Sequence, residues 1–398
     1  VWGTGVGKTY VSLGLLDIHQ VQKPVIIVPK GLRTQWQIEA PHARVLTKEY
    51  VRDHLNELLE ESSEDWQAIV TDEFHHFLGM KSDMSKALLK ILAKHKPQYF
   101  YALTATPYRS TPWDVYRLMQ FFGKQFSYKA FEERFFFRIP IRKKNPNSNF
   151  AVRTIPKPRK DPATRNVLIN MIRSVGSVVA MEDCFDVPEQ VFEVIYVSLT
   201  DSQRAGIDSL TELMPMTYCN YVQQICGGVL KADDYRPEQE FETEKYDVVT
   251  NLIESNDQMI VVCKYRAELE MLKRKLAKDY PKLHIALIHG DINNRHEVLR
   301  ECEKKEKYVL LVAAQCSEGW ELKKCPLMVF YSYDRALTNY VQMIGRIQRA
   351  DNLKKNVYIS ILTRGEVDED VYQSVVHDKV DFHYKIYKRG VNIQIQPC

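Results

Sequence analysis

Near its start the chain reads Trp2-Gly3-Thr4-Gly5-Val6-Gly7-Lys8-Thr9, and further along it reads Asp72-Glu73-Phe74-His75. Glycines ahead of a Lys-Thr pair let backbone N–H groups turn inward and cradle phosphate oxygens. Lys8 would then reach the β- and γ-phosphates, and the Thr9 hydroxyl would bind Mg²⁺. Asp72 would hold the same Mg²⁺ while Glu73 polarises an attacking water. The chemistry these residues suit is hydrolysis of a nucleoside triphosphate. The ordinary alternatives are a chance Gly-Lys-Thr turn and a solvated acidic pair.

Two later segments could serve the same chemistry. Thr104-Ala105-Thr106-Pro107 is a turn of small hydroxyl residues behind an apolar run, which by itself is as readily a simple β-turn. Gln342-Met343-Ile344-Gly345-Arg346-Ile347-Gln348-Arg349 places positions 342, 345, 346 and 349 on one face if the run is helical. Two arginines and a glutamine beside a glycine suit a γ-phosphate, because guanidinium groups stabilise transferring phosphoryl charge. A solvated basic face is the plain alternative.

Chemistry of this kind needs strands to aim it. Val25–Val28, Ala68–Val70 and Tyr99–Leu103 are short β-branched or apolar runs, read as buried parallel strands. Each ends at a polar segment: Pro29-Lys30, Asp72-Glu73 and Thr104-Ala105-Thr106. In open α/β sheets ligands bind beyond the carboxyl ends of the strands. A second alternating set follows residue 246: Met259–Cys263, Ile285–Ile288, Val309–Ala313, Leu327–Tyr331 and Val357–Ile361. Helical runs such as Ala267–Lys278 and Thr338–Ile344 separate most of them. Between the two sets lie an aromatic helix-like run, Phe131–Phe137, and a basic stretch, Arg138–Arg165, whose prolines resist regular structure. Tyr218–Leu230 then reads as helical and Lys231–Lys245 as a linker.

The expected fold class is α/β, with two parallel-sheet domains and a mostly helical insertion between them. The expected domains are 1–124, 125–245 and 246–398. A phosphate loop ordinarily follows a buried strand. None stands ahead of this loop, so the expectation is a trimmed chain or an N-terminus further upstream.

Bulk composition excludes several classes. The 398 residues are 45% hydrophobic and 27% charged, ordinary globular values for two domains. No run of eighteen apolar residues suggests a membrane span. The eight cysteines form no C-x-x-C pair, which argues against zinc and for a reducing, cytoplasmic setting. A net charge of +4 permits a nucleic-acid partner without demanding one.

The phosphate loop departs from G-x-x-x-x-G-K-[ST] at Trp2 but fits the variant x-x-x-G-x-G-K-T. Taken in order, Gly5–Thr9, Val28-Pro29-Lys30, Asp72–His75, Thr104–Thr106, Ser317-Glu318-Gly319-Trp320 and Gln342–Arg349 resemble the superfamily-two helicases of the DExH type. The resemblance covers both α/β regions and implies that they are two RecA-like domains flanking an ATP cleft. Leu118–Phe137, Tyr196–Gln203, Gln224-Ile225-Cys226-Gly227-Gly228 and Gly365–Tyr372 resemble the Snf-like translocase branch, in size like its compact bacterial or phage members. Two features depart from that branch: the Trp-Gly-Thr-Gly opening of the loop, and Phe74-His75 where Gly-His or Ala-His is usual.

The resemblance implies a nucleic-acid-dependent ATPase acting as a DNA helicase or double-stranded DNA translocase, a monomer working on duplex or forked DNA. By it, Gly5, Val6, Gly7, Lys8, Thr9 and Gly319 bind ATP; Thr9 and Asp72 bind Mg²⁺; and Asp72, Glu73, Lys8, Gln342, Arg346 and Arg349 are catalytic. His75, Thr104 and Thr106 couple nucleotide state to grip. Pro29, Lys30, Arg33, Lys264, His289, Gly290 and Ser317 face the nucleic acid. A DExH-type RNA helicase shares these motifs. A nucleic-acid-binding scaffold with weak ATPase activity is the reading from another class.

Overall fold

The computed structural model describes residues 5–387, apart from 141–153, 188, 212, 235, 293, 321, 323 and 349–354, and for residues 377, 378, 381, 382 and 384 the backbone alone. The described residues form two compact units, one running to residue 184 and including 382–387, the other of residues 185–381.

The first unit is built on four parallel strands: β1 (Pro24–Val28), β2 (Arg44–Thr47), β3 (Ala68–Thr71) and β4 (Tyr99–Ala102), in the order β2-β1-β3-β4. Every residue of β1 and β3 is buried, as strands covered on both faces must be. Ile27 pairs with Thr71, and Thr71 with Ala102. The register therefore brings Pro29, Asp72 and Thr104 out at one edge, beyond the carboxyl ends of three adjacent strands. Backbone bonds from Asp72 to Ile27 (2.9 Å) and from Phe74 to Leu103 (2.8 Å) pin that edge.

The basic stretch is more regular than its prolines imply. Strands β5 (Phe136–Pro140) and β6 (Thr154–Pro158) pair antiparallel, Arg138 opposite Pro156. The prolines fit because a two-stranded ribbon consists only of edges, where a missing N–H costs least. The helix Pro162–Arg173 then starts at an Asp161 cap, which accepts from the Thr164 N–H at 2.9 Å, with Pro162 in the first turn.

The second unit carries six parallel strands: β7 (Gln190–Val197), β10 (Gln258–Cys263), β11 (His284–Ile288), β12 (Tyr308–Ala313), β13 (Leu327–Phe330) and β14 (Asn356–Thr363). Their order is β11-β12-β10-β13-β14-β7. Val262 pairs with Val312 and with Phe330, so Lys264, Ala314 and Ser332 leave the sheet at a common edge. The segment read as a linker is largely structured. β8 (Val229–Leu230) pairs with β9 (Gln239–Glu240), and the helix Glu244–Ser255 follows. Lys245 is fully buried and donates to Asp368 Oδ2 at 2.5 Å and to the Tyr331 carbonyl at 2.9 Å. No helix among the described residues is long and apolar enough to cross a membrane.

Candidate nucleotide site

Gly5 and Gly7 have φ of +76° and +80°, left-handed values that favour glycine. Gly7 caps the helix Lys8–Ile18, so the loop delivers the chain into a helix N-terminus whose free N–H groups and dipole favour an anion. Val6 is buried, and Lys8 and Thr9 open the first turn.

Asp72 and Glu73 follow β3 and are 8% and 9% exposed. Asp72 Oδ1 accepts from the Glu73 N–H at 2.8 Å, and Oδ2 accepts from Trp36 Nε1 at 2.9 Å. Burial pushes the Asp72 carboxyl up to about 6; the Glu73 charge adds to the rise, while Lys8 opposes it. Glu73 adopts φ +46°, a left-handed conformation uncommon for a side chain of this kind and a form of strain found at functional sites. Its Oε2 lies 3.2 Å from His75 Nδ1, and His75 is itself buried. Two buried adjacent carboxylates, with the proton affinity of Asp72 raised, fit a divalent cation, which would neutralise both.

Thr104 and Thr106 are buried on the neighbouring turn, where Thr104 Oγ1 accepts from the Thr106 N–H at 3.0 Å. The Thr106 hydroxyl is enclosed and finds no hydrogen-bond partner among the described residues. The Ala105 carbonyl between them accepts from His383 Nε2 at 2.8 Å and from the Tyr387 hydroxyl. Burial lowers His383 to about 4, so it is neutral at physiological pH, with Nε2 the donor to this carbonyl.

In the second unit, Ser317 Oγ donates to Gln342 Oε1 at 2.8 Å, and Gln342 Nε2 donates to Glu318 Oε1 at 3.3 Å. Gly319 turns the chain at φ +76°. The expected single helical face does not extend through the arginines: the helix Leu337–Ile344 ends with Gly345 as its cap, and Arg346 lies in the following turn. There Arg346 Nη1 donates to the Trp320 carbonyl at 2.8 Å. Arg346 is therefore tied to the Ser317–Trp320 loop instead of sharing a helix face with Gln342. Arg349 lies outside the described residues.

Sequence reasoning missed four contributors. Trp36 gave only an aromatic signal. Arg295 donates to the Glu318 carbonyl at 3.2 Å and approaches Cys316 Sγ at 3.5 Å, bracing the same loop. Residues His383 and Tyr387 reach Ala105 from the far end of the chain, and nothing local announces them.

A model of the SNF2-related domain matches residues 38–213, and one of the helicase conserved C-terminal domain matches residues 244–351. The chain is a Snf2-like superfamily-two helicase. This Snf2-like protein is thus an ATP-hydrolysing enzyme of the helicase and translocase kind, and its two parallel-sheet units are the RecA-like pair of that family. A solved structure described as the Sulfolobus solfataricus SWI2/SNF2 ATPase core in complex with dsDNA is similar at 16% identity and a TM-score of 0.39. The match covers 97% of this chain and 88% of that one. No curated protein matches the chain.

The residues expected along the nucleic acid are placed unevenly in the Snf2-like chain. Lys30 and Arg33 are exposed at the carboxyl end of β1, with Pro29 buried behind them. Gly290 is exposed after β11, with open space where a side chain would stand, and His289 beside it is half-buried. Ser317 is buried and engaged with Gln342. Lys264 Nζ donates to Gln223 Oε1 at 2.7 Å and Asn220 Oδ1 at 3.3 Å, and burial lowers its pKa. Much of that ammonium's hydrogen-bonding capacity is already used inside the second unit.

Proposed function

We propose that this Snf2-like ATPase is stimulated by DNA, with duplex or forked DNA favoured, and converts ATP turnover into movement along it. The observation that carries the reading is the first unit's edge: a left-handed glycine loop on a helix N-terminus in the same unit as a buried Asp-Glu pair. Thr9 and Asp72 would hold Mg²⁺, which screens phosphate charge when bound. Gly5, Val6, Gly7 and Lys8 bind the phosphates through N–H groups and the ammonium. Glu73, oriented by His75, takes a proton from the attacking water. From the second unit, Gly319 adds to ATP binding, Gln342 orients with Ser317 and Glu318, and Arg346 and Arg349 stabilise charge on the transferring group when ATP draws the units together. Thr104 and Thr106 relay the nucleotide state.

Lys30, Arg33 and Gly290, all exposed, and the half-buried His289 offer contacts suited to a phosphate backbone. Contacts of that type carry no base information, so binding is sequence-tolerant and weakens with salt. The test is ATP hydrolysis measured without polymer and with single-stranded DNA, duplex DNA, forked DNA and RNA. Stimulation highest with duplex or fork supports the reading. Stimulation by RNA alone moves the protein to the RNA helicases, and hydrolysis indifferent to every polymer overturns the proposal.

A further inference from the structure

Two tryptophans of the first unit each donate an indole N–H to a carboxylate, and the surroundings differ. Trp66 Nε1 donates to Glu61 Oε2 at 2.9 Å, a carboxylate already held by both Arg44 nitrogens at 2.5 and 2.7 Å. That cluster is an ordinary ion pair with an aromatic lid. Trp36 Nε1 donates at the same distance to Asp72 Oδ2, one of the two acids at the candidate nucleotide site.

We propose that Trp36 is a positioning residue for the nucleotide site: its indole N–H fixes the plane of the Asp72 carboxylate so that the remaining lone pairs face the metal-bound nucleotide. This rests on the ATP-site reading above and goes beyond it by assigning a role to a residue outside the motifs. An indole N–H is a donor only, carries no charge and cannot titrate or flip. It satisfies one lone pair of Oδ2 without competing for a dication as an ammonium would. Oδ1 is restrained in the same way by the Glu73 N–H. The carboxylate is thus gripped by two neutral donors, one on each oxygen.

The donor is itself immobile. Trp36 is 1% exposed and packs in the apolar cluster with Leu16, Ile26, Val28, Ala68 and Val70, which come from the phosphate-loop helix, β1 and β3. Neutral partners that orient a metal-binding carboxylate are known to matter about 10–100-fold in metal affinity. The short helix carrying Trp36 also carries exposed Arg33 at its start, so a single element joins the Asp72 carboxylate to the surface proposed for DNA.

The experiment compares Trp36→Phe with Trp66→Phe by equilibrium binding of a fluorescent ATP analogue across a Mg²⁺ titration, with an EDTA arm. For Trp36→Phe the Mg²⁺ concentration giving half-maximal tight binding rises about tenfold, and affinity in EDTA stays as in the wild type. Trp66→Phe leaves the Mg²⁺ dependence within twofold. An unchanged Mg²⁺ dependence in Trp36→Phe, or an equal shift in both variants, overturns the proposal. Should Trp36→Phe fail to fold, 3-benzothienylalanine at position 36 keeps the ring and replaces N–H by sulfur, and the same outcomes apply. Wild-type protein that binds no ATP analogue at any Mg²⁺ concentration sinks the parent reading instead.

Discussion

Each unit buries acidic groups beside its sheet, and the two sets are compensated in different ways. In the second unit Asp368 faces the Lys245 ammonium at 2.5 Å and also accepts from the Thr363 hydroxyl at 3.0 Å. Burial is the largest influence on Lys245 and lowers its pKa, but the Asp368 charge and hydrogen bond together with the nearby Cys226 and Glu268 groups outweigh it and leave the pKa raised. In the first unit Asp72 and Glu73 are similarly buried, yet Asp72 is pushed up to about 6, mainly by desolvation. A buried pair that is internally neutralised fixes a structure. A buried pair of like charges, with Asp72 left at elevated proton affinity, marks a place awaiting a cationic guest.

The strongest way to break this contrast is at Glu73. Glu73→Gln is expected to lower ATP turnover by about 10²–10⁴-fold while binding of a fluorescent ATP analogue persists. A variant that hydrolyses ATP at the wild-type rate would make the carboxylate pair merely structural. Lys8→Ala is expected to abolish hydrolysis by removing phosphate binding, with an unchanged circular dichroism spectrum.

The next largest effect belongs to the second unit. Lys245→Met leaves Asp368 buried without its cation and should destabilise by about 3–5 kcal/mol, read from urea unfolding. Replacing both, as Lys245→Met with Asp368→Leu, should recover most of that loss. If the double variant is no better than the single one, Lys245 is doing something other than neutralising Asp368.

Glu268 sharpens the comparison, being a buried acid in the structural unit that behaves like Asp72. Burial raises it to about 7, against bonds from Ser332 Oγ at 2.5 Å and from the Tyr265 N–H at 3.1 Å. Its proton is held more tightly in the folded state than in the unfolded one. The favourable contribution is therefore present below about pH 4.5 and lost as pH rises toward about 7. Glu268→Gln should flatten the pH dependence of unfolding free energy over that window, and a slope identical to wild type would show that another group carries it.

The smallest effect is expected at Thr106. Its enclosed hydroxyl finds no partner among the described residues, so Thr106→Val should stabilise the first unit by about 1 kcal/mol. The same variant should reduce stimulation by DNA. A stabilised enzyme with unaltered stimulation would remove Thr106 from the coupling path.

The parts of this architecture that chemistry writes locally were readable in the residues. The β-branched run ending in Asp72-Glu73 and the aromatic run ending in Thr104-Ala105-Thr106 carry both their strand signal and their polar terminus within a few positions. Gly5 and Gly7 likewise announce a backbone that needs left-handed torsions. The rest is written at long range. Nothing near Trp36 says that its N–H will meet a carboxylate on β3, and nothing near Lys245 points to Asp368, 123 positions away. The helix Leu337–Ile344 stops at Gly345, so face arithmetic carried through to Arg349 assumed a regularity the glycine interrupts. Prolines in the basic stretch read as breakers, although a two-stranded ribbon tolerates them.

The return of residues 382–387 to the first unit has a consequence for biogenesis. The His383 bond to Ala105 spans 278 positions, so the threonine turn cannot be sealed until nearly all of this chain has left the ribosome. Vectorial synthesis would then yield a nascent first unit with an open flank, completed only once residues 382–387 have emerged. Premature stop codons shortly after residue 372 should therefore damage a unit made well before them, and a protease nick near residue 381 should loosen a structure built hundreds of residues before it.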